Sequence, residues 1–277
     1  MKRVIIGIIG GTGSMGRWFR KFFSGSGHEV LIAGRKTEIT YKDLAERCDV
    51  VALSVPHQAA LEIAGQVGPL LDDTQLLMDF CSLKEAVLKR MLDSTTAQVC
   101  GTHPLFGPLT TSLEDQNVIV CEGRGARWLG WLEGELRAGG AVVTRMDPVT
   151  HDKHMAVVQG LSHLLTICLA RTLQQLQMDP KAALKYTTPV FRIKLDIIGR
   201  LFAQDLSLYG HLIKQNPHVP QAIETFSTAL EECRSLLDAE SADGENRLLE
   251  EIHDFLNDFC PAGLDESNAL IKAIYSK

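Results

Sequence analysis

The 277-residue chain has no Cys-x-x-Cys pair, although cysteines stand at positions 48, 81, 100, 121, 168, 233 and 260. That spacing suits neither a zinc site nor a redox pair, and an odd, scattered set fits buried thiols in a reducing compartment. No metal site is therefore expected. A basic surplus is also missing: 28 Lys and Arg against 34 Asp and Glu leave a net charge of −6, which excludes a nucleic-acid backbone as the main partner. No uninterrupted run approaches the ~20 apolar residues that span a bilayer. The opening "MKRVIIGIIGGTG" places a basic pair before an apolar run, but the run breaks into glycines too early for a secretory signal. Internal repeats and low-complexity tracts are absent too. With 45% hydrophobic residues the chain can fill a sizeable core rather than remain disordered. It is expected to be a soluble, cytoplasmic protein of two domains or one large one.

What is present divides the chain near residue 148. Before it, seven short runs, "RVIIGIIGG", "EVLIAG", "DVVALSVP", "QLLMDFC", "AQVCGTHP", "NVIVCEG" and "AVVTRMDP", are rich in Val and Ile and end in turn formers. Being apolar throughout rather than alternating, they predict strands covered on both faces, as in a parallel sheet. Helical patterns lie between them, at Met15–Ser24 and Leu83–Leu92 for example. This order predicts an α/β domain with a doubly wound Rossmann-type sheet over residues 1–148. Residues 149–277 show only three- and four-residue apolar spacing, so an all-helical domain is expected, with breaks near Pro180, Pro189, Pro217 and Gly244.

Gly11-Thr12-Gly13-Ser14-Met15-Gly16 directly follows the first run and opens a helical pattern. Strand, glycine turn and helix in that order predict dinucleotide binding, with the pyrophosphate at the helix N-terminus. NAD sites usually end the second strand with Asp or Glu, to hold the ribose 2′-hydroxyl. Here that position reads Gly34-Arg35-Lys36-Thr37, whose cations suit a 2′-phosphate, so NADP is favoured and NAD is the alternative. Ser54, Val55 and Pro56 end a further strand, where the nicotinamide half would lie.

The segment "CGTHPLFGP", residues 100–108, sets His103 among glycines and prolines, which predicts a shaped loop. Together with the glycine turn, "MDFCSLK" at 78–84, "HDKHMAVVQGLSH" at 151–163 and "TPVFRIKLDIIGRLFAQD" at 188–205, it resembles the prephenate dehydrogenase family over nearly the whole chain. The resemblance covers the dehydrogenase portion only; the chorismate mutase fused to some members is expected to be missing.

The resemblance implies oxidative decarboxylation of prephenate to 4-hydroxyphenylpyruvate, in tyrosine biosynthesis. Hydride leaves C4 for the nicotinamide, the C4 hydroxyl loses its proton, and CO2 departs. His103 matches the family's catalytic base, and histidine suits that task near neutral pH. Ser82 matches a serine bonding near the histidine and the nicotinamide, and its position also suits an N-cap for the helix of "LKEAVLKRML". Arg192 matches the arginine that holds the ring carboxylate, and His163 a substrate-side histidine, with Gln159 four residues earlier on the same helical face. His151 and Asp152 also fit the pattern and are expected to hold the domain junction rather than touch substrate. A homodimer through the helical domain is expected, both from the resemblance and from surplus apolar stripes across 190–213 and 221–237. Arogenate and 4-amino-4-deoxyprephenate dehydrogenases are alternatives within the class, and a non-catalytic dinucleotide-sensing regulator is the alternative outside it.

Overall fold

Seven strands form where the seven apolar runs lie: β1 Ile5–Ile9, β2 Glu29–Ala33, β3 Val50–Leu53, β4 Leu76–Asp79, β5 Gln98–Pro104, β6 Asn117–Arg124 and β7 Val142–Arg145. The computed structural model describes residues 3–204, 206–234 and 242–276; Asp205, which ends the "GRLFAQD" segment, lies outside them. One sheet contains all seven strands in the order β2-β1-β3-β4-β5-β6-β7. Every pairing is parallel except β5 with β6. A parallel return needs a long crossover, usually a helix. Residues 105–116 form a loop instead, so β6 runs back beside β5.

The helices of this part are α1 Ser14–Gly25, α2 Tyr41–Arg47, α3 His57–Val67, α4 Glu85–Ser94, α5 Ala126–Ala138 and α6 Pro148–Met155. Alternate strand residues serve opposite faces. Ile6, Ile8, Val50, Ala52, Leu76 and Met78 pack with Phe19 and Phe23 of α1 and with Leu129, Leu132 and Leu136 of α5. Ile9, Val51, Leu53, Leu77 and Val99 pack with Leu44 of α2, Ala60 and Ala64 of α3, and Val87, Leu88 and Met91 of α4. Two covered faces explain why the strand runs are apolar throughout. In α1 the buried Gly16, Phe19 and Phe23 recur at three- and four-residue spacing, which turns one stripe onto the sheet.

The chain divides into two compact units, one ending at Met155 and one starting at Ala156. The second is helical, with α7 Ser162–Gln175, α8 Pro180–Ala183, α9 Pro189–Phe202, α10 Leu206–Gln215, α11 Val219–Arg234, α12 Ala242–Leu256 and α13 Phe259–Tyr275. Pro180 and Pro189 open helices, each behind a side-chain cap from Asp179 and Thr188. Pro217 lies in the turn between α10 and α11. Gly244 lies in the first turn of α12, and the stretch between α11 and α12 that precedes it, residues 235–241, falls outside the described residues.

Residues Ala156–Leu161 form a π-helical turn ahead of α7. Gly160 within it admits Val219 at the start of α11, against which any side chain at 160 would collide. The helical stretch Pro148–Gln175 is long and apolar enough, at a mean hydropathy of 1.3 in its most apolar window, to cross a bilayer by length and composition alone. Polar residues punctuate the stretch, so it holds no unbroken apolar run of that length; two of these, His151 and Asp152, are buried within the first unit.

Phe19 is fully buried and its ring stacks on Phe80 at 3.8 Å between centroids. Replacing it with Ala should destabilise the first unit by about 3–5 kcal/mol, read by urea denaturation.

Candidate active site

The glycine turn sits where the strand order reverses between β1 and β3, the crevice in which open α/β sheets bind ligands. Gly11–Gly13 form the turn and Ser14–Gly16 the first turn of α1, with Gly13 as its cap residue and no side-chain cap. Gly10, just ahead of the expected motif, proves as important. Its φ of +84° is the left-handed region, and a side chain there would strike the Ser54 carbonyl oxygen. A side chain at Gly16 would strike the Gly10 carbonyl oxygen, so α1 packs directly on the turn. A tight turn with an uncapped helix start is a cradle that fits a dinucleotide pyrophosphate. The signal for Gly10 was present in the sequence, as the first of two adjacent glycines.

Two more segments border that crevice. After β2, Thr37 closes a turn on Gly34, accepting from its N–H at 2.8 Å and donating to its carbonyl at 3.0 Å. Arg35 and Lys36 are thereby left exposed to solvent, and no carboxylate stands at the strand end. Ser54 continues β3 through its N–H to Ile9 O at 2.8 Å, Val55 O accepts from the Cys81 thiol at 3.5 Å, and Pro56 caps α3.

His103 corrects the loop expectation. It is the next-to-last residue of β5, paired in register with Ile119 of β6, and only 2% exposed. Proline is tolerated beside it because Pro104 ends the strand, while Phe106 packs on Trp18 at 4.9 Å. The His103 Nδ1 lies 2.9 Å from His151 Nε2, and His151 Nδ1 lies 2.7 Å from Asp152 Oδ1. The Asp152 carboxylate also accepts the backbone N–H of Lys84 at 2.8 Å and of Glu85 at 3.0 Å. That corrects Ser82 as the helix cap: Ser82 is a half-buried bend residue, and α4 is capped from 68 residues away in sequence. His151 and Asp152 belong to the first unit, and their bonds run to β5 and α4.

Beneath this pair lies a buried ion pair that local sequence patterns did not single out. Lys84 and Asp79 are both fully buried; Lys84 Nζ donates to Asp79 Oδ2 and to Thr102 O, the latter at 2.8 Å. Cys81 N–H donates to the same Asp79 oxygen at 2.8 Å. A carboxylate ending a wholly buried strand, with a lysine five residues on, was the available signal. Burial holds the His103 pKa well below the ordinary histidine value, and the neighbouring His151 and Lys84 push it further down. Burial alone would raise Asp152, but the bonds from His151 and the two backbone N–H groups outweigh it and hold the carboxyl below its usual value. The result is an ionised carboxylate, a bridging histidine and a neutral imidazole in line.

The remaining expected residues are in the second unit. Gln159 lies in the π-helical turn, whose i→i+5 bonding changes its register with His163 from that of a regular helix. His163 meets Tyr209 edge-on at 4.8 Å, and burial lowers its pKa. Arg192 of α9 pairs with Asp196 at 3.3 Å, and both line a cleft of about 340 Å³ with Leu270 and Ile274 of α13. Among the described residues no cluster of His, Cys, Asp and Glu could hold a metal ion.

Residues 29–145 match the family described as "Prephenate dehydrogenase, nucleotide-binding domain", and residues 147–253 match "Prephenate dehydrogenase, dimerization domain". The T-protein of Haemophilus influenzae is 30% identical over 265 residues, covering 96% of this chain and 70% of that protein. The probable arogenate/prephenate dehydrogenase of Methanocaldococcus jannaschii is 31% identical, covering 89% of this chain and 59% of that protein. Among solved structures, the fold is shared with prephenate dehydrogenase from Aquifex aeolicus in complex with hydroxyphenyl propionate and NAD+, at a TM-score of 0.72 and 22% identity, covering 91% and 96% of the two chains. Synechocystis arogenate dehydrogenase shares it at a TM-score of 0.73 and 17% identity, covering 92% and 99%.

Removing one partner of the buried ion pair leaves an uncompensated charge. Lys84→Met should therefore destabilise the protein by about 3–5 kcal/mol in chemical denaturation, and adding Asp79→Leu should recover most of that loss.

Proposed function

The chain belongs to the prephenate dehydrogenase family, and within it we propose an NADP-linked enzyme that converts prephenate to 4-hydroxyphenylpyruvate. The observation that carries this reading is the neutral His103 imidazole held at the carboxyl end of β5 by His151. Three strand spacings separate β1 from β5, roughly 14 Å, a distance an extended dinucleotide can bridge from the glycine turn toward the histidine.

In this reading the bound dinucleotide supplies the hydride acceptor. Gly10, Gly11, Gly13 and Gly16 let backbone approach its pyrophosphate, and Arg35 and Lys36 meet a 2′-phosphate. His103 takes the proton of the C4 hydroxyl through Nε2, since Nδ1 faces His151. As the O–H bond breaks, its electrons form the C4 carbonyl and the C4–H pair leaves as hydride. The resulting dienone loses its ring carboxylate as CO2, the electrons of that bond make the ring aromatic with a phenolate at C4, and the phenolate takes the proton back from His103. Ser82 lies near the nicotinamide, and Arg192, His163 and Gln159 bind the dianionic substrate. The cationic Arg192 suits a carboxylate, and the half-buried His163 presents a neutral ring.

One observation favours a second reading, arogenate as substrate. Asp196 shares the Arg192 cleft, and a carboxylate beside a guanidinium matches the ammonium and carboxylate of an amino acid. The same proposal includes a homodimer through the second unit, supported by its match to a dimerization domain and by the exposure of Phe255, Phe259, Leu264 and Leu270.

A spectrophotometric assay crossing NADP and NAD with prephenate and arogenate tests these assignments. NADP with prephenate should be fastest. Arg35→Ala with Lys36→Ala should raise KM for NADP on the order of tenfold or more without changing that for NAD. His103→Asn should lower kcat by on the order of a thousandfold while NADP still binds. Equal rates with both cofactors would remove the 2′-phosphate assignment, and an active His103→Asn enzyme would remove the base.

A further inference from the structure

An ionised carboxylate accepts hydrogen bonds and donates none, and this fixes the first proton of the row. Asp152 Oδ1 accepts from His151 Nδ1–H at 2.7 Å. In the imidazole form with its proton on Nδ1, the form the proposal takes for the resting row, His151 presents a lone pair at Nε2 toward His103 Nδ1 at 2.9 Å. His103 must then carry its proton on Nδ1 and its lone pair on Nε2. We propose that His151 and Asp152 are positioning residues of the reaction: they fix the tautomer of His103 and share the proton that it receives.

This inference rests on His103 being the base. When the substrate O–H bond breaks, its proton forms a bond to His103 Nε2. The Nδ1 proton of His103 shifts to His151 Nε2, and His151 then carries the positive charge against the Asp152 carboxylate. The row holds this one extra proton until decarboxylation leaves a phenolate oxygen at C4, which takes a proton back from His103 Nε2 as the shifts reverse. The charge thus moves from a position beside the buried Lys84 ammonium to one beside a carboxylate. His151 of α6 and the Lys84 ammonium act on His103; behind them Asp152 bonds to His151 and Asp79 to Lys84, His57 of α3 interacts with Asp152, Lys84 and Asp79, and Ile119 of β6 opposite does not titrate. The rings of the two histidines meet edge-on at 5.0 Å between centroids, which keeps Nδ1 and Nε2 in line.

Asp152 also caps α4, and the two roles separate experimentally. Asparagine keeps one acceptor oxygen for Lys84 N–H and His151 Nδ1–H but sets an NH2 against Glu85 N–H, so it removes the charge at the cost of one helix-end bond. The measurement is kcat and kcat/KM against pH with prephenate and NADP, for Asp152→Asn, His151→Gln and His103→Asn, alongside thermal melts. A base is active only when deprotonated, so activity falls as pH drops through its pKa. In Asp152→Asn the melt should drop by no more than one lost helix-end bond accounts for, and kcat should fall on the order of a hundredfold. The acid limb should move to lower pH, because the imidazolium has lost its counter-charge. His151→Gln should show the same loss with KM for NADP unchanged. If both variants keep kcat within about threefold and an unmoved acid limb while His103→Asn is inactive, the relay is wrong and the base stands. Activity in His103→Asn overturns the base itself. Failure of Asp152→Asn to fold, with a normal profile in His151→Gln, makes Asp152 structural only; failure of both to fold also contradicts the proposal, which requires folded, slow enzymes.

Discussion

The carboxylate of Asp152 is the point on which the first unit's chemistry turns. It accepts two backbone N–H groups at the start of α4 and one ring nitrogen of His151, so a helix end and a histidine are fixed by the same anion. Such bonds to an anion are stronger than neutral ones, and here they more than offset the cost of burying it. Each part depends on the other. Without α4 in place the carboxylate would be buried and poorly satisfied, and without the carboxylate α4 would start on unpaired donors.

Around that anion, the sheet's carboxyl edge is arranged by charge. Lys84 reaches back from the α4 approach to Asp79 at the end of β4 and to Thr102 beside His103, tying β4, β5 and α4 together beneath the imidazole. The pair is structural, but its ammonium also acts on His103, helping to keep that ring neutral. Buried thiols nearby stay out of the chemistry: burial raises Cys81 well above its ordinary value and pushes Cys121 up to about 12, so neither is a thiolate near neutral pH.

Much of the architecture was legible in the amino-acid order, and the reasons are local. A strand covered on both faces must be apolar throughout, and the seven runs were; a glycine turn between strand and helix needs its glycines adjacent to both. What escaped was non-local. Glycine and proline around His103 suggested a loop, yet pairing with β6, a strand that begins thirteen positions after Pro104, carries β5 through it. Ser82 had the right chemistry and spacing for a cap, but the cap came from Asp152, which no motif near α4 could reveal. Lys84 went unassigned, because its spacing from Asp79 was the one local signal and the closing of β4 and β5 over it is non-local.

The central claim is the proton position on His103, and nitrogen NMR reports it directly. With ring-labelled protein between pH 6 and 8, the account predicts a neutral His103 protonated at Nδ1, with Nε2 bearing the lone pair, and a His151 whose Nδ1 proton is held by Asp152. Signals from a His103 protonated at Nε2, or from an imidazolium across that range, would contradict it.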